Sequence, residues 1–77
     1  MFATESMVNA AADDLLTVFE NGSLHSRSSV RQILPHAIEV MAEHGMPFRR
    51  SLAVVIAKRA QTAWQETIHH TKEVLND

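Results

Sequence analysis

The 77-residue chain contains no cysteine, which excludes disulfide bridges, thiolate metal sites and cysteine nucleophiles. Tyrosine is also absent, and there are only two glycines and two prolines. No apolar run reaches the length of about 18 residues that a membrane-spanning helix needs. Because turn residues are scarce and β-branched residues are scattered, the composition predicts an all-α fold.

The net charge and the N-terminal composition bear on the binding partners and the location of the protein. The formal net charge is −2, so we expect no global attraction to nucleic acid or anionic lipid. The start, Met-Phe-Ala-Thr-Glu-Ser, lacks the basic and apolar regions of a signal peptide, and we predict a cytoplasmic location. We also predict that residues 1–77 form a single helical domain, of a size that self-association often supports.

The most informative stretch is residues 51–75, in which no glycine or proline interrupts a helical pattern. It predicts a long C-terminal helix over residues 49–75, beginning either at Pro47 or at a Ser51 cap. Trp64 is expected in the core. At about 100° per residue, the following apolar side chains share one half of the helix: Leu52, Ala53, Ile56, Ala57, Ala60, Ala63, Trp64, Ile68, Val74 and Leu75.

A first helix is predicted over residues 5–20, where apolar residues recur at helical spacing. Thr4 or Ser6 can cap its start by accepting hydrogen bonds from free backbone N–H groups. The pair Asn21-Gly22 predicts its end, since both residues tolerate a left-handed conformation.

A second helix is predicted over residues 30–44, because Ser29 and Gln32 have the spacing of a capping box. Pro35 falls inside this pattern, on the side away from the apolar stripe. Two interpretations follow: a kinked helix that begins at Val30, or a helix that begins at Pro35 itself. The unbroken stripe favours the kinked helix.

Two valines do not fit the stripe of the C-terminal helix, since Val54 and Val55 lie on its opposite flanks. Either the other two helices cover both flanks, or a partner or second copy covers one of them. Met7, Val18 and Ile38 lie at the edges of their own stripes and extend the apolar surface. These five residues are the predicted partner-binding surface of a small protein–protein interaction module.

The alternative is a helix-turn-helix-like regulator that binds nucleic acid through the basic start of the third helix. Its candidate contacts are Arg49, Arg50, Lys58 and Arg59. Arginines at a helix start oppose the helix dipole, so that pair has little structural reason to be there. Against this function, Glu66 and Glu73 lie on the same helix and weaken its positive potential.

The histidines and acidic residues form no convincing metal site. His36, Glu39 and Glu43 share one helix flank, but a single helix supplies only part of a site, and this flank is expected to face solvent. His69 and His70 suit the negative end of the third helix, and His69 is expected to pair with Glu73. We therefore predict no metal, no cofactor and no enzymatic activity.

Taken together, these features predict an all-α, three-helix bundle with a long C-terminal helix, with dimerisation left open. The expected function is a non-catalytic regulator, adaptor or inhibitor that binds another protein or a second copy of itself. No membrane association is predicted, and nucleic acid is the less favoured partner.

Overall fold

The computed structural model describes the backbone of residues 3–75 and the side chains of residues 3–69. Three α-helices follow one another: α1 Glu5–Glu20, α2 Val30–Glu43 and α3 Arg50–Leu75. Residues 3–75 contain no β-strand. The prediction of an all-α, three-helix fold is confirmed.

Side-chain caps fix the starts of α1 and α2. The Thr4 hydroxyl accepts a hydrogen bond from the backbone N–H of Met7 at 3.1 Å. At the start of α2, Ser29 and Gln32 form the predicted capping box, in which each side chain accepts from the other residue's backbone N–H. These bonds satisfy donors that a helix start otherwise leaves without partners.

Each of these helices ends in a capping residue that is followed by a glycine in a left-handed conformation. Asn21 caps the end of α1 and is followed by Gly22 at φ +88°. His44 caps α2 and is followed by Gly45 at φ +66°. The predicted stop at Asn21-Gly22 is confirmed, with the glycine taking the positive φ.

Pro35 lies inside a continuous α2 that begins at Val30. The alternative start at Pro35 is therefore wrong. Pro35 cannot donate to the carbonyl of Arg31, but both residues are exposed. Water can satisfy that carbonyl, so the helix tolerates the proline.

α3 begins at Arg50, one residue after the start of the predicted range 49–75 and between the two candidate starts, Pro47 and a Ser51 cap. Met46 lies in the turn before it. Its side chain is buried and its backbone N–H donates to the Met41 carbonyl at 2.9 Å. This contact ties Met46 to the end of α2, and residues 46–49 are non-helical before α3 begins.

One hydrophobic core joins the three helices. Its largest fully buried side chains are Leu15, Ile33, Met41 and Ile56. On α3 the buried positions are mostly alanines, which allow α1 and α2 to approach the α3 backbone closely. The remaining core members are Val8, Ala11, Ala12, Phe19, Leu24, Ala37, Val40, Met46, Ala53, Ala57 and Ala60.

The apolar stripe of α3 is buried only along part of its length. Trp64 is half-buried rather than enclosed, and its ring stacks on Phe19 with centroids 5.9 Å apart. Ile68 was predicted on the buried half but is exposed. The reason is that no described side chain beyond Trp64 joins the core. Val74 and Leu75 lie outside the described side chains.

α3 packs against both other helices. Its Gln61 amide donates to the carbonyls of Ser26 at 3.2 Å and Ser28 at 2.6 Å, and Gln65 donates to Ser26 at 2.7 Å. The start of α2 therefore lies beside the middle of α3, while a short connection joins their other ends. α2 and α3 are thus antiparallel neighbours. The side of α3 that faces away from α1 and α2 is directed outward.

Candidate interaction surface

The outward face of α3 carries a shallow groove of about 510 Å³. Its lining residues recur every three or four positions, which places them on one side of the helix. They are Val55, Lys58, Arg59, Thr62, Ala63 and Glu66. We call this surface the α3 groove.

Arg59 is held against α1 at one side of the α3 groove. Its guanidinium donates to Glu5 Oε2 at 3.0 Å and to Asn9 Oδ1 at 2.9 Å. The Arg59 side chain is 36% exposed and that of Glu5 is 79% exposed, so solvent screens this ion pair. The contacts orient the arginine and supply little stability.

Lys58 and Glu66 give the α3 groove opposite charges on the two sides of Thr62. All three side chains are exposed. Among the described side chains, neither Lys58 nor Glu66 forms a hydrogen bond or an ion pair. They are eight positions apart, or about 12 Å along a helix, which is too far for them to pair with each other.

The five predicted partner-binding residues divide into exposed and half-buried groups. Val55 is 44% exposed and Ile38 is 38% exposed. Val54, Met7 and Val18 are half-buried. Only Val55 lines the α3 groove, so the structure does not bring the five together into one surface.

Val18 lines a second, smaller groove of about 210 Å³ between α1 and α2. Its other lining residues are Asp14, Thr17, His36, Glu39, Val40 and Glu43. Nearby, Nε2 of His44 lies 2.5 Å from Oδ2 of Asp14 and joins the two helices. The wall of this second groove is mainly polar and acidic, unlike that of the α3 groove.

His36, Glu39 and Glu43, which share one flank of α2, line this second groove. Within the described residues, no three histidine, aspartate or glutamate side chains are arranged to hold a metal ion. His70 and Glu73 lie outside the described side chains, and so does the predicted pairing of His69 with Glu73.

The four residues predicted to contact nucleic acid lie in two different places. Arg49 and Arg50 are exposed at the start of α3, whereas Lys58 and Arg59 line the α3 groove. Arg59 already binds Glu5 and Asn9. The structure therefore places a free arginine pair at one corner and not a continuous basic stripe.

Several surface residues were missed by the sequence interpretation. No role is predicted for Thr62 from the sequence, and Glu66 is predicted only to oppose nucleic-acid binding. Their common position on the wheel, opposite Ala53 and Ala60, is the signal that groups them. Phe48, 68% exposed beside Arg49, had no such signal because it precedes the helix.

No helix in the described part of the chain combines the length and apolarity needed to span a bilayer. Comparison of the chain with protein-family models, curated proteins and solved structures finds no match, so the function has to be argued from the geometry.

Proposed function

We propose that the protein is a small, non-catalytic protein–protein interaction module that associates with a second copy of itself. The observation that carries the proposal is the exposure of Val55 on α3. Both α1 and α2 already pack against α3, yet neither covers this side chain. An exposed valine inside a groove gains free energy when a partner removes it from water.

Ile38 supports the same function on a second surface. It lies on α2 and is 38% exposed, although its neighbours Ala37 and Val40 are buried. Met7 and Val18 contribute less because both are half-buried against the core, and Val54 contributes less because it is half-buried. The predicted partner surface therefore reduces to Val55 first and Ile38 second.

A charge at Val55 tests this function. Val55→Asp is expected to remain helical, because the new carboxylate can stay in water, and to lose association. Val54→Asp is the comparison, since a half-buried aspartate should destabilise the fold itself. Ala10→Asp, on an exposed side of α1 outside both grooves, is the matched control for helix propensity.

Helix content by circular dichroism and molecular mass by light scattering would be measured for each variant and the parent. A parent that stays monomeric at every concentration contradicts self-association. If Val55→Asp unfolds as completely as Val54→Asp, then Val55 is an ordinary core residue and the main support is lost.

Nucleic-acid binding is the second candidate, and the exposed corner at Phe48, Arg49 and Arg50 favours it. Guanidinium groups bind phosphates, and an exposed aromatic ring can stack on a base. The engaged Arg59 and the nearby Glu66 limit how far this positive surface extends along α3.

Titration with mixed duplex DNA tests this second candidate at about 50 mM salt and again at physiological salt. Binding that weakens steeply with salt, and that Arg49→Ala and Arg50→Ala both reduce, would support it. Absence of binding at low salt would remove it, because electrostatic attraction is strongest there.

A further inference from the structure

We propose that the second copy docks antiparallel along the α3 groove, with the two-fold axis passing beside Thr62. Lys58 of each copy then faces Glu66 of the other. This inference rests on the proposed self-association and specifies its surface, its orientation and its register.

The register follows from the spacing of the charges. Lys58 and Glu66 lie four residues before and four residues after Thr62, so each is about 6 Å from it along the helix. A two-fold axis at Thr62 brings each charge opposite its counterpart on the second copy. Two equivalent ion pairs result, one on either side of the axis.

The orientation follows from the signs of the same charges. In a parallel pair in register, Lys58 would face Lys58 and Glu66 would face Glu66, and both contacts would be repulsive. The antiparallel pair replaces both repulsions with attractions. A two-fold interface requires this self-complementarity, because the same surface serves both copies.

The centre of the groove suits close contact between two helices. Thr62 and Ala63 are small, and helices pack with their axes about 8–10 Å apart when small side chains lie between them. Val55 lies one helical turn before Lys58 and adds apolar area at each end of the interface. Arg59 remains with Glu5 and Asn9 and leaves the Lys58–Glu66 pairing undisturbed.

The expected dimer is weak, since one face of one helix buries less area than the roughly 1,200 Å² of a stable interface. We therefore expect monomer–dimer exchange that depends on concentration. Sedimentation equilibrium across about 10–500 μM, a range suited to small transient interfaces, would measure it.

Charge reversal tests the pairing directly. Lys58→Glu places Glu against Glu in both pairs, and Glu66→Lys places Lys against Lys. Each variant alone should dimerise about tenfold more weakly than the parent, since two attractive pairs become repulsive. An equimolar mixture of the two variants should recover association as a heterodimer, and the double variant Lys58→Glu/Glu66→Lys should recover it as a homodimer.

Two variants control for net charge away from the α3 groove. Arg27→Glu in the α1–α2 loop and Glu20→Lys at the end of α1 make equal charge changes at exposed positions. Both should dimerise like the parent at the same ionic strength. Circular dichroism of every variant establishes that a change in mass does not arise from unfolding.

The results separate this inference from the proposed function. Recovery of the dimer in the mixture supports the antiparallel register. A parent dimer that neither reversal weakens overturns the register and leaves self-association standing, with Ile38 as the surface to test next. A parent that is monomeric throughout overturns both.

Discussion

The inner and outer faces of α3 obey different physical constraints. On the inner face Ala53, Ile56, Ala57 and Ala60 are completely buried. On the outer face, Lys58, Thr62 and Glu66 are exposed, and no described side chain pairs with either charge. Packing within the bundle accounts for the inner residues. It does not account for the choice of the outer ones.

The largest effect should come from the inner face. Ile56→Ala removes a fully buried side chain at the meeting point of the helices and should cost about 2–5 kcal/mol of unfolding free energy. Val55→Ala, one residue away but on the outer face, should stay within about 0.5 kcal/mol for the monomer.

Urea unfolding followed by circular dichroism, at a concentration where the chain is monomeric, would measure both substitutions. Equal losses for the two variants would contradict the division of α3 into two faces.

Trp64→Ala should have the next largest effect. Its ring is half-buried and stacks on Phe19, so the expected loss is about 2–3 kcal/mol, below the range for fully buried aromatic residues. Urea unfolding would measure it, with Thr67→Ala as an exposed control on the same helix. A loss below about 1 kcal/mol would show that the stacking adds nothing to stability.

A smaller effect is expected on the flank of α3 that faces the α1–α2 loop. Gln61→Ala leaves the carbonyls of Ser26 and Ser28 without its amide and should cost about 1 kcal/mol. Gln65→Ala, which removes one bond from a more exposed position, should cost less. A reversed order in thermal unfolding would mean that the loop depends on Gln65.

The smallest effect should come from the ion pair beside the groove. Arg59→Ala should change stability by about 0–1 kcal/mol, because Arg59 is only partly buried and its partner Glu5 is exposed, so solvent screens the pair. Any loss should shrink as salt rises from about 50 mM to 1 M, where screening is nearly complete. A loss that does not change with salt would indicate packing by the arginine stem instead.

The local features of the fold could be predicted from the sequence, since each depends on residues close together in the chain. The capping box of Ser29 and Gln32 and the stop at Asn21-Gly22 are of this kind. The range of α3 could be predicted to within one residue, but the choice between Pro47 and Ser51 could not be made, because the turn before α3 includes Met46, which is buried in a core that all three helices build.

The candidate site could be predicted only in part for the same reason. Val55 and Lys58 could be singled out from the sequence. The hydrogen bonds of Arg59 to Glu5 and Asn9 could not, because they join residues 54 and 50 positions apart. Likewise, the helical wheel groups Thr62 and Glu66 on one face of α3, but their exposure depends on where α1 and α2 pack against that helix. Contacts between residues far apart in the sequence therefore determine which face of α3 stays exposed.

The hydrogen bonds from Gln61 and Gln65 to the α1–α2 loop also affect how readily a protease can cleave that loop. Trypsin cleaves after arginine, and Arg27 lies between Ser26 and Ser28. The carbonyls of these two serines accept hydrogen bonds from the side-chain amides of Gln61 and Gln65. Cleavage requires an extended strand of substrate, so the loop must leave α3 before the enzyme can cut. The digestion rate at Arg27 therefore reports how often the loop detaches while the helices remain folded.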